Sequence, residues 1–253
     1  MIAKGFLFTT GIPAREGKRV LKECRQHGYF RDETCPECSD KGRFLMNDEE
    51  IDTLGRIMAG ILRHFPEKFD LHMDEHGWVE VGPMIEAIQE KRPQFHWLRA
   101  HHIIAVVETD PKGRYQFDEG FIRATYGHSL NIDLDLPTDD IPERLYYPAT
   151  EEEADIILEV GLKPSDRKKV HLSKTVQDAV TASAHREAKP VILEVDAQGA
   201  IDGGTVIMKA GYTVFITDEI KPEFLTKISV ESALVEDKED GPEDDEEKGQ
   251  GEE

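Results

Sequence analysis

The chain has 253 residues, enough for two small domains or one large one, with 38% hydrophobic residues and a formal net charge of −21. That charge argues against a protein that grips nucleic acid along many phosphates; any RNA it handles is met at one local basic spot. No apolar stretch approaches the roughly 18 residues of a membrane span, and Met1–Phe6 lacks the apolar core of a secretory signal, so a cytoplasmic protein with no membrane partner is expected.

The first 45 residues predict short strands, for example around Phe6–Thr9, and contain all three cysteines. Cys24-x2-His27 is followed by Cys35-x2-Cys38, two knuckles of soft ligands of the kind that tetrahedral Zn²⁺ needs. Gly28 and Pro36 suit the tight turns. Four protein ligands leave no open position, so the zinc reads as structural, holding a stretch with too few apolar residues to fold alone. The alternative is free buried thiols beside an unrelated histidine.

Ile51, Leu54, Ile57, Met58, Ile61, Leu62 and Phe65 recur at intervals of three and four, which predicts an amphipathic helix over 48–65. Asn47 or Asp48 caps its start and Pro66 forbids its continuation. Arg63 points almost opposite the apolar stripe and His64 lies on its flank, so packing explains neither. Either Arg63 neutralises the helix end while His64 packs at a boundary, or the two form a preformed site for an anionic group.

Leu71–Val81 predicts a short extended segment around Trp78, then a helix over Met84–Gln89 with Pro83 in its first turn, then a third helix from Trp97 to about Val107. Asp110–Gly113 is a turn, and Arg114–Phe117 and Phe121–Ala124 flank Asp118-Glu119-Gly120 as a hairpin. Three helices followed by a hairpin make a winged-helix pattern. Beyond Asn131, a linker rich in Pro and Asp leads to a β-rich half with two short helices. Its strands are expected near Leu145–Tyr147, Val170–Ser173, Val191–Val195, Val206–Met208 and Tyr212–Ile216, its helices over Thr150–Val160 and Thr175–Ala184. Residues 229–253 hold twelve Asp and Glu, with almost nothing apolar from Glu236 onward, and read as a disordered acidic tail. There is no GxGxxG and no P-loop.

Four segments carry polar groups that neither helix nor strand packing demands: Leu62-Arg63-His64-x-Pro66, Ile122-Arg123-Ala124-Thr125-Tyr126-Gly127-His128-Ser129, Arg167-x2-Val170-His171-Leu172-Ser173, and Arg186-x3-Pro190-Val191. With Asp74-x2-Gly77-Trp78-Val79, Asp110-x-Lys112-Gly113-Arg114 and Leu193-Glu194-Val195-Asp196-Ala197, in this order, they give the chain a resemblance to the RNA 2′-phosphotransferase family, over about residues 20–226. The form with an added N-terminal zinc module is the one it looks like.

The resemblance implies an α+β fold: a zinc module over 1–46, a winged-helix RNA lobe over 47–130, and a β-rich, ADP-ribosyltransferase-like NAD lobe over 131–228. It implies removal of an internal 2′-phosphate from RNA, as left at a tRNA splice junction. The phosphate attacks C1″ of NAD⁺ and expels nicotinamide. The ribose 2″-hydroxyl then attacks phosphorus, releasing 2′-OH RNA and ADP-ribose 1″,2″-cyclic phosphate. The implied catalytic residues are Arg63, His64, Arg123 and Arg167, the arginines binding and neutralising the phosphate. The implied NAD site holds His171, Leu172 and Ser173, with Gly127, His128 and Ser129 nearby; His128 and His171 read equally as structural histidines. The resemblance also carries Tyr147 and Thr150 over to the NAD site, but many relatives have Tyr-His-Gly-Thr where this chain has Tyr147-Pro148-Ala149-Thr150, so Tyr147 either takes over a lost contact with the dinucleotide or that contact is absent. Thr125-Tyr126 stands where others often have Asn-Gln. The expected partners are RNA carrying a 2′-phosphate and NAD, with the chain a monomer. Two rival readings are an ADP-ribosyltransferase that caps terminal phosphates and a non-catalytic zinc and winged-helix adaptor. On the catalytic reading, Arg123→Ala abolishes activity and leaves thermal stability nearly unchanged.

Overall fold

The computed structural model describes residues 20–184 and 190–229. The expected strand near Phe6–Thr9, Arg186 and the acidic tail beyond Ser229 lie outside them. The fold is mixed α/β, with six α-helices and three sheets among the described residues.

The first sheet has strand order β2-β1-β3, from β1 (Leu21–Cys24), β2 (Gly28–Arg31) and β3 (Arg43–Met46). Gly28, at φ +79°, turns the chain between β1 and β2. Leu21, Leu45 and Met46 are buried in the same core as the helices that follow, so this stretch leans on its neighbour for apolar burial.

Helix α1 (Asp48–Arg63) begins with a reciprocal cap: Asn47 accepts from the Glu50 N–H at 3.0 Å, and Glu50 accepts from the Asn47 N–H at 2.9 Å. It ends two residues earlier than the spacing predicts. Phe65 precedes a proline, which disfavours helical backbone, and it leaves the stripe to stand 43% exposed. Helix α2 (Val81–Lys91) is longer than expected, with Pro83 in its first turn. Helix α3 (Ala100–Glu108) starts three residues late, after a 3₁₀ turn at Pro93–Phe95. Strands β4 (Val79–Glu80), β5 (Tyr115–Asp118) and β6 (Phe121–Ala124) form a sheet of order β4-β6-β5 beside these helices. The β5–β6 turn has Glu119 at φ 44° and Gly120 at φ 92°, the two positive values a tight hairpin needs.

The second half is a six-stranded antiparallel sheet of order β10-β11-β8-β7-β9-β12. Its strands are β7 (Arg144–Ala149), β8 (Val170–Ser173), β9 (Val191–Asp196), β10 (Ile207–Lys209), β11 (Val214–Thr217) and β12 (Leu225–Ile228). It carries three helices rather than two: α4 (Glu151–Val160), α5 (Val176–Ser183) and the short α6 (Ala197–Asp202). Strand β7 pairs with β9 along its length but with β8 only at Tyr146↔Ser173. Pro148, which has no N–H to give, lies where β8 no longer pairs. The chain between the halves packs Leu134 and Leu136 against Ala210 and Ile216, with Tyr126 at the edge of that cluster. Among the described residues no helix is long and apolar enough to cross a membrane.

Candidate active site

Gly127 is where the two halves meet. Its φ is +85°, and its N–H donates to His171 Nε2 at 3.1 Å while its carbonyl accepts from Arg167 Nη1 at 2.6 Å. A Cβ at this position would stand 3.1 Å from Arg63 Nη1 and 3.2 Å from Arg167 Nη1. So Arg63 from the end of α1, Arg167 from the loop before β8 and His171 on β8 converge on one glycine. Ser129 ties in the next residue: its N–H donates to the Arg63 carbonyl at 3.1 Å, and its Oγ lies 3.0 Å from His64 Nδ1.

The electrostatics are unusual for a chain of net charge −21. Arg63 Nε and Nη2 are buried with no hydrogen-bond partner, and its guanidinium lies 4.8 Å from the centre of the Tyr126 ring. Burial lowers the pKa of Arg63; Tyr115 and Tyr126 oppose that, and the cations of Arg114 and Arg167 add to it. A guanidinium does not give up its proton, so its unmet donors and unneutralised charge favour an incoming anion. His128 Nε2 is also buried without a partner. Burial, then Arg63, holds His128 down to about 4, and burial, then Arg167, does the same to His171. Both are neutral at pH 7. Because His171 Nε2 accepts from Gly127, its proton sits on Nδ1. His64 is lowered too, by burial, then by Arg167 and Arg63.

Arg123 adjoins this cluster in a different state. It is 4% exposed and held by three hydrogen bonds: Nε donates to Gln116 Oε1 at 2.7 Å, and Nη1 donates to Asp135 Oδ1 at 2.5 Å and to the His76 carbonyl at 3.2 Å. Its guanidinium lies 4.5 Å from the centre of the Trp78 ring. A Cβ on Gly77 would stand 3.9 Å from His128 Nε2 and 4.0 Å from Arg123 Cβ, which places Arg123 beside His128. Trp78 is held by an Asp turn, in which Asp74 Oδ1 accepts from the N–H groups of His76 at 2.9 Å and Trp78 at 2.8 Å. The buried Asp110 likewise accepts from the Arg114 N–H and side chain, each at 2.6 Å at its shortest.

The structure therefore brings Arg63, His64, Arg167, Gly127, His128, Ser129 and His171 together, with Arg123 alongside. Ser173 pairs with Tyr146, and Leu172 is buried in the core of the large sheet. Tyr147 packs with Leu145 and Leu172, on the sheet face opposite His171 and Ser173. Thr150 caps α4, accepting from the Glu153 N–H at 3.2 Å. Sequence reasoning missed Gln116 and Asp135, the partners of Arg123; nothing in their spacing sets them apart.

A family model described as "RNA 2'-phosphotransferase, Tpt1 / KptA family" matches residues 48–219. The chain belongs to this enzyme family. It is 38% identical over 216 residues to a protein of Thermoplasma acidophilum, covering 85% of this chain and 91% of the relative. It is 40% identical over 206 residues to one of Methanosarcina barkeri, covering 81% and 98%. Both relatives carry the name "Probable RNA 2'-phosphotransferase".

The family match starts at residue 48, so this phosphotransferase's cysteine cluster precedes it. The ligand atoms of Cys24, His27, Cys35 and Cys38 all lie within 4.8 Å of one another. Cys24 Sγ is 3.7 Å from Cys38 Sγ and 3.6 Å from His27 Nδ1, and Cys35 Sγ is 3.5 Å from His27 Nδ1. A tetrahedron with Zn–S near 2.3 Å and Zn–N near 2.1 Å has edges of about 3.6–3.8 Å, so the four residues fit such an ion. The Gln26 backbone lowers the Cys24 thiol to about 7, favouring the thiolate a metal requires.

Proposed function

We propose that this phosphotransferase removes an internal 2′-phosphate from RNA of the tRNA splice-junction type, with NAD as co-substrate. The observation that carries the reading is the pair of buried, unpartnered Arg63 nitrogens beside Arg167 at Gly127. A phosphomonoester carries about −1.5 to −2 at neutral pH and three strong acceptor oxygens. Each charge pair near 4 Å contributes on the order of 4 kcal/mol at an effective dielectric of 20, before desolvation is subtracted.

Arg63 and Arg167 bind the phosphate oxygens and neutralise charge as the phosphoryl group becomes crowded. Arg123, its charge already matched by Asp135, adjoins His128 and adds the third guanidinium to the site. His64, oriented through Nδ1 by Ser129, offers Nε2 to the phosphate or ribose and moves a proton in the transesterification. His128 and His171 stay neutral and orient rather than repel. When bound, NAD supplies the ribose carbon that accepts the phosphate and the hydroxyl that later frees it. The Val170–Ser173 main chain suits the amide of that ligand, since β8 pairs with β7 at one position only. Gly127 leaves room for both arginines.

The same reading assigns α1–α3 with the small sheet, residues 47–130, to a winged-helix RNA lobe, and residues 131–228 to an ADP-ribosyltransferase-like NAD lobe. The cluster in 1–46 holds a structural zinc, and the enzyme works as a cytoplasmic monomer. The test is incubation with NAD⁺ and a 2′-phosphorylated RNA, with mass analysis of the products. ADP-ribose cyclic phosphate with 2′-OH RNA is the expected result. RNA that retains ADP-ribose indicates a capping transferase instead, and no reaction at all indicates an adaptor.

A further inference from the structure

Arg63 raises a problem of orientation. Its carbonyl is tied to the Ser129 N–H at 3.1 Å, yet Nε and Nη2 have no hydrogen bond that sets the plane of the guanidinium. Arg123, by contrast, is fixed by Gln116, His76 and Asp135, and donates to all three. Two surfaces bound Arg63 without taking its donors. One is the Gly127 backbone, close enough that a Cβ there would lie 3.1 Å from Nη1. The other is the Tyr126 ring, 4.8 Å from Cζ and inside the roughly 6 Å reach of a cation–π contact.

The ring is itself held from the other half of the molecule. It packs at the edge of the cluster of Leu134, Leu136, Ala210 and Ile216. Its edge meets the His171 ring at 6.0 Å and 70°, and a Cβ on Gly211 would stand 3.2 Å from it. So Tyr126 is anchored among groups of the large sheet while it faces a cation from α1.

We propose that Tyr126 is a positioning residue for Arg63, holding the guanidinium by the face of its ring so that Nε and Nη2 stay free for substrate phosphate. This rests on the phosphotransferase reading above. A hydrogen-bonding partner in its place would occupy the donors the phosphate needs. A π face attracts the cation and occupies none of them.

The alternative is that the ring only fills space, and a fluorination series separates the two. Phenylalanine at 126, followed by progressively fluorinated phenylalanines, keeps the ring and its packing while removing the negative charge on its face. Turnover of a 2′-phosphorylated RNA with NAD⁺ is measured alongside melting temperature. Tyr126→Phe is expected to remain within about twofold of wild type, and kcat/KM for the RNA to fall stepwise to about tenfold at the most fluorinated ring. KM for NAD⁺ and the melting temperature should stay constant. A flat series overturns the proposal, as does a loss that follows melting temperature. In an Arg63→Ala background, binding of the same RNA should be indifferent to fluorination; a slope there shows that the ring acts on another group and also overturns it. Wild-type protein unable to release the 2′-phosphate defeats the functional reading itself, whereas an active wild type with a flat series defeats only this inference.

Discussion

Gly127→Ala separates backbone strain from loss of the site. The native φ of +85° belongs to the left-handed region, which costs a residue with a Cβ about 1–2 kcal/mol. For a chain of this size that lowers the melting temperature by about 2–8 °C. The new methyl group would also stand 3.1 Å from Arg63 Nη1, 3.2 Å from Arg63 Cζ and 3.2 Å from Arg167 Nη1. These are ends of flexible side chains, so they move aside at little cost in stability. On the proposed reading such a shift moves both cations relative to the phosphate, and a misplacement of 1 Å can cost about 10²-fold in turnover. Gly120→Ala is the control: its φ is +92°, and nothing lies within 4 Å of the added Cβ. Both variants are expected to melt earlier by similar amounts. Only Gly127→Ala is expected to lose turnover of a 2′-phosphorylated RNA, by up to about 10²-fold. Full kcat/KM in Gly127→Ala, or an equal loss in Gly120→Ala, would refute the idea that the arginines converge on this glycine.

Arg123→Ala, expected from sequence to spare stability, should cost about 1–3 kcal/mol because it strands the buried Gln116 beside a cavity, while the exposed Asp135 is taken up by solvent; chemical denaturation reads this, and an unchanged midpoint contradicts it. His171 sits near 4 in the fold against 6.5 unfolded, so the unfolded chain takes up the proton first as pH falls. Its share of stability is complete above about pH 6.5, is reduced by about 1 kcal/mol at pH 5.5, and is lost towards pH 4. Denaturation midpoints at pH 7 and 5.5 should differ in that direction, and His171→Asn should reduce the difference. Native protein should carry about one zinc per chain. Because Leu21, Leu45 and Met46 belong to the main core, chelation should lower the melting temperature of the whole fold; elemental analysis without zinc rules the metal out. RNA binding should weaken only slightly with salt, and a steep log–log slope would mean many phosphate contacts on an acidic body.

What was legible in the sequence follows the range over which each feature is decided. Helix α1 depends on spacing and on Asn47 with Glu50, all within a few residues, and its cap formed as the residues suggest. The cysteine cluster and the β5–β6 hairpin are equally local. Helix α6 escaped notice because it has six residues with Gly199 among them, although Asp196, its cap, stands in a motif singled out for other reasons. Strand β12 is a short edge strand with Thr226 and Lys227 exposed, too weak a pattern to stand out. Register was not legible either: with Tyr146 opposite Ser173, Tyr147 points to the other face of the sheet, which the sequence alone does not tell.

The site was legible as charge and not as geometry. Arg63 and Arg123 look alike in sequence, each a cation that packing does not require. In the fold one has two buried donors with nothing to bind, and the other is matched by a carboxylate. That difference comes from Asp135, one acid among several in an acidic loop, and from Tyr126, which offers a ring face instead of a hydrogen bond. Three arginines do not by themselves make a phosphate site, since each could be neutralised internally as Arg123 is. What favours the proposed one here is that Arg63 is held close to its neighbours by contacts that leave its charge and donors unanswered.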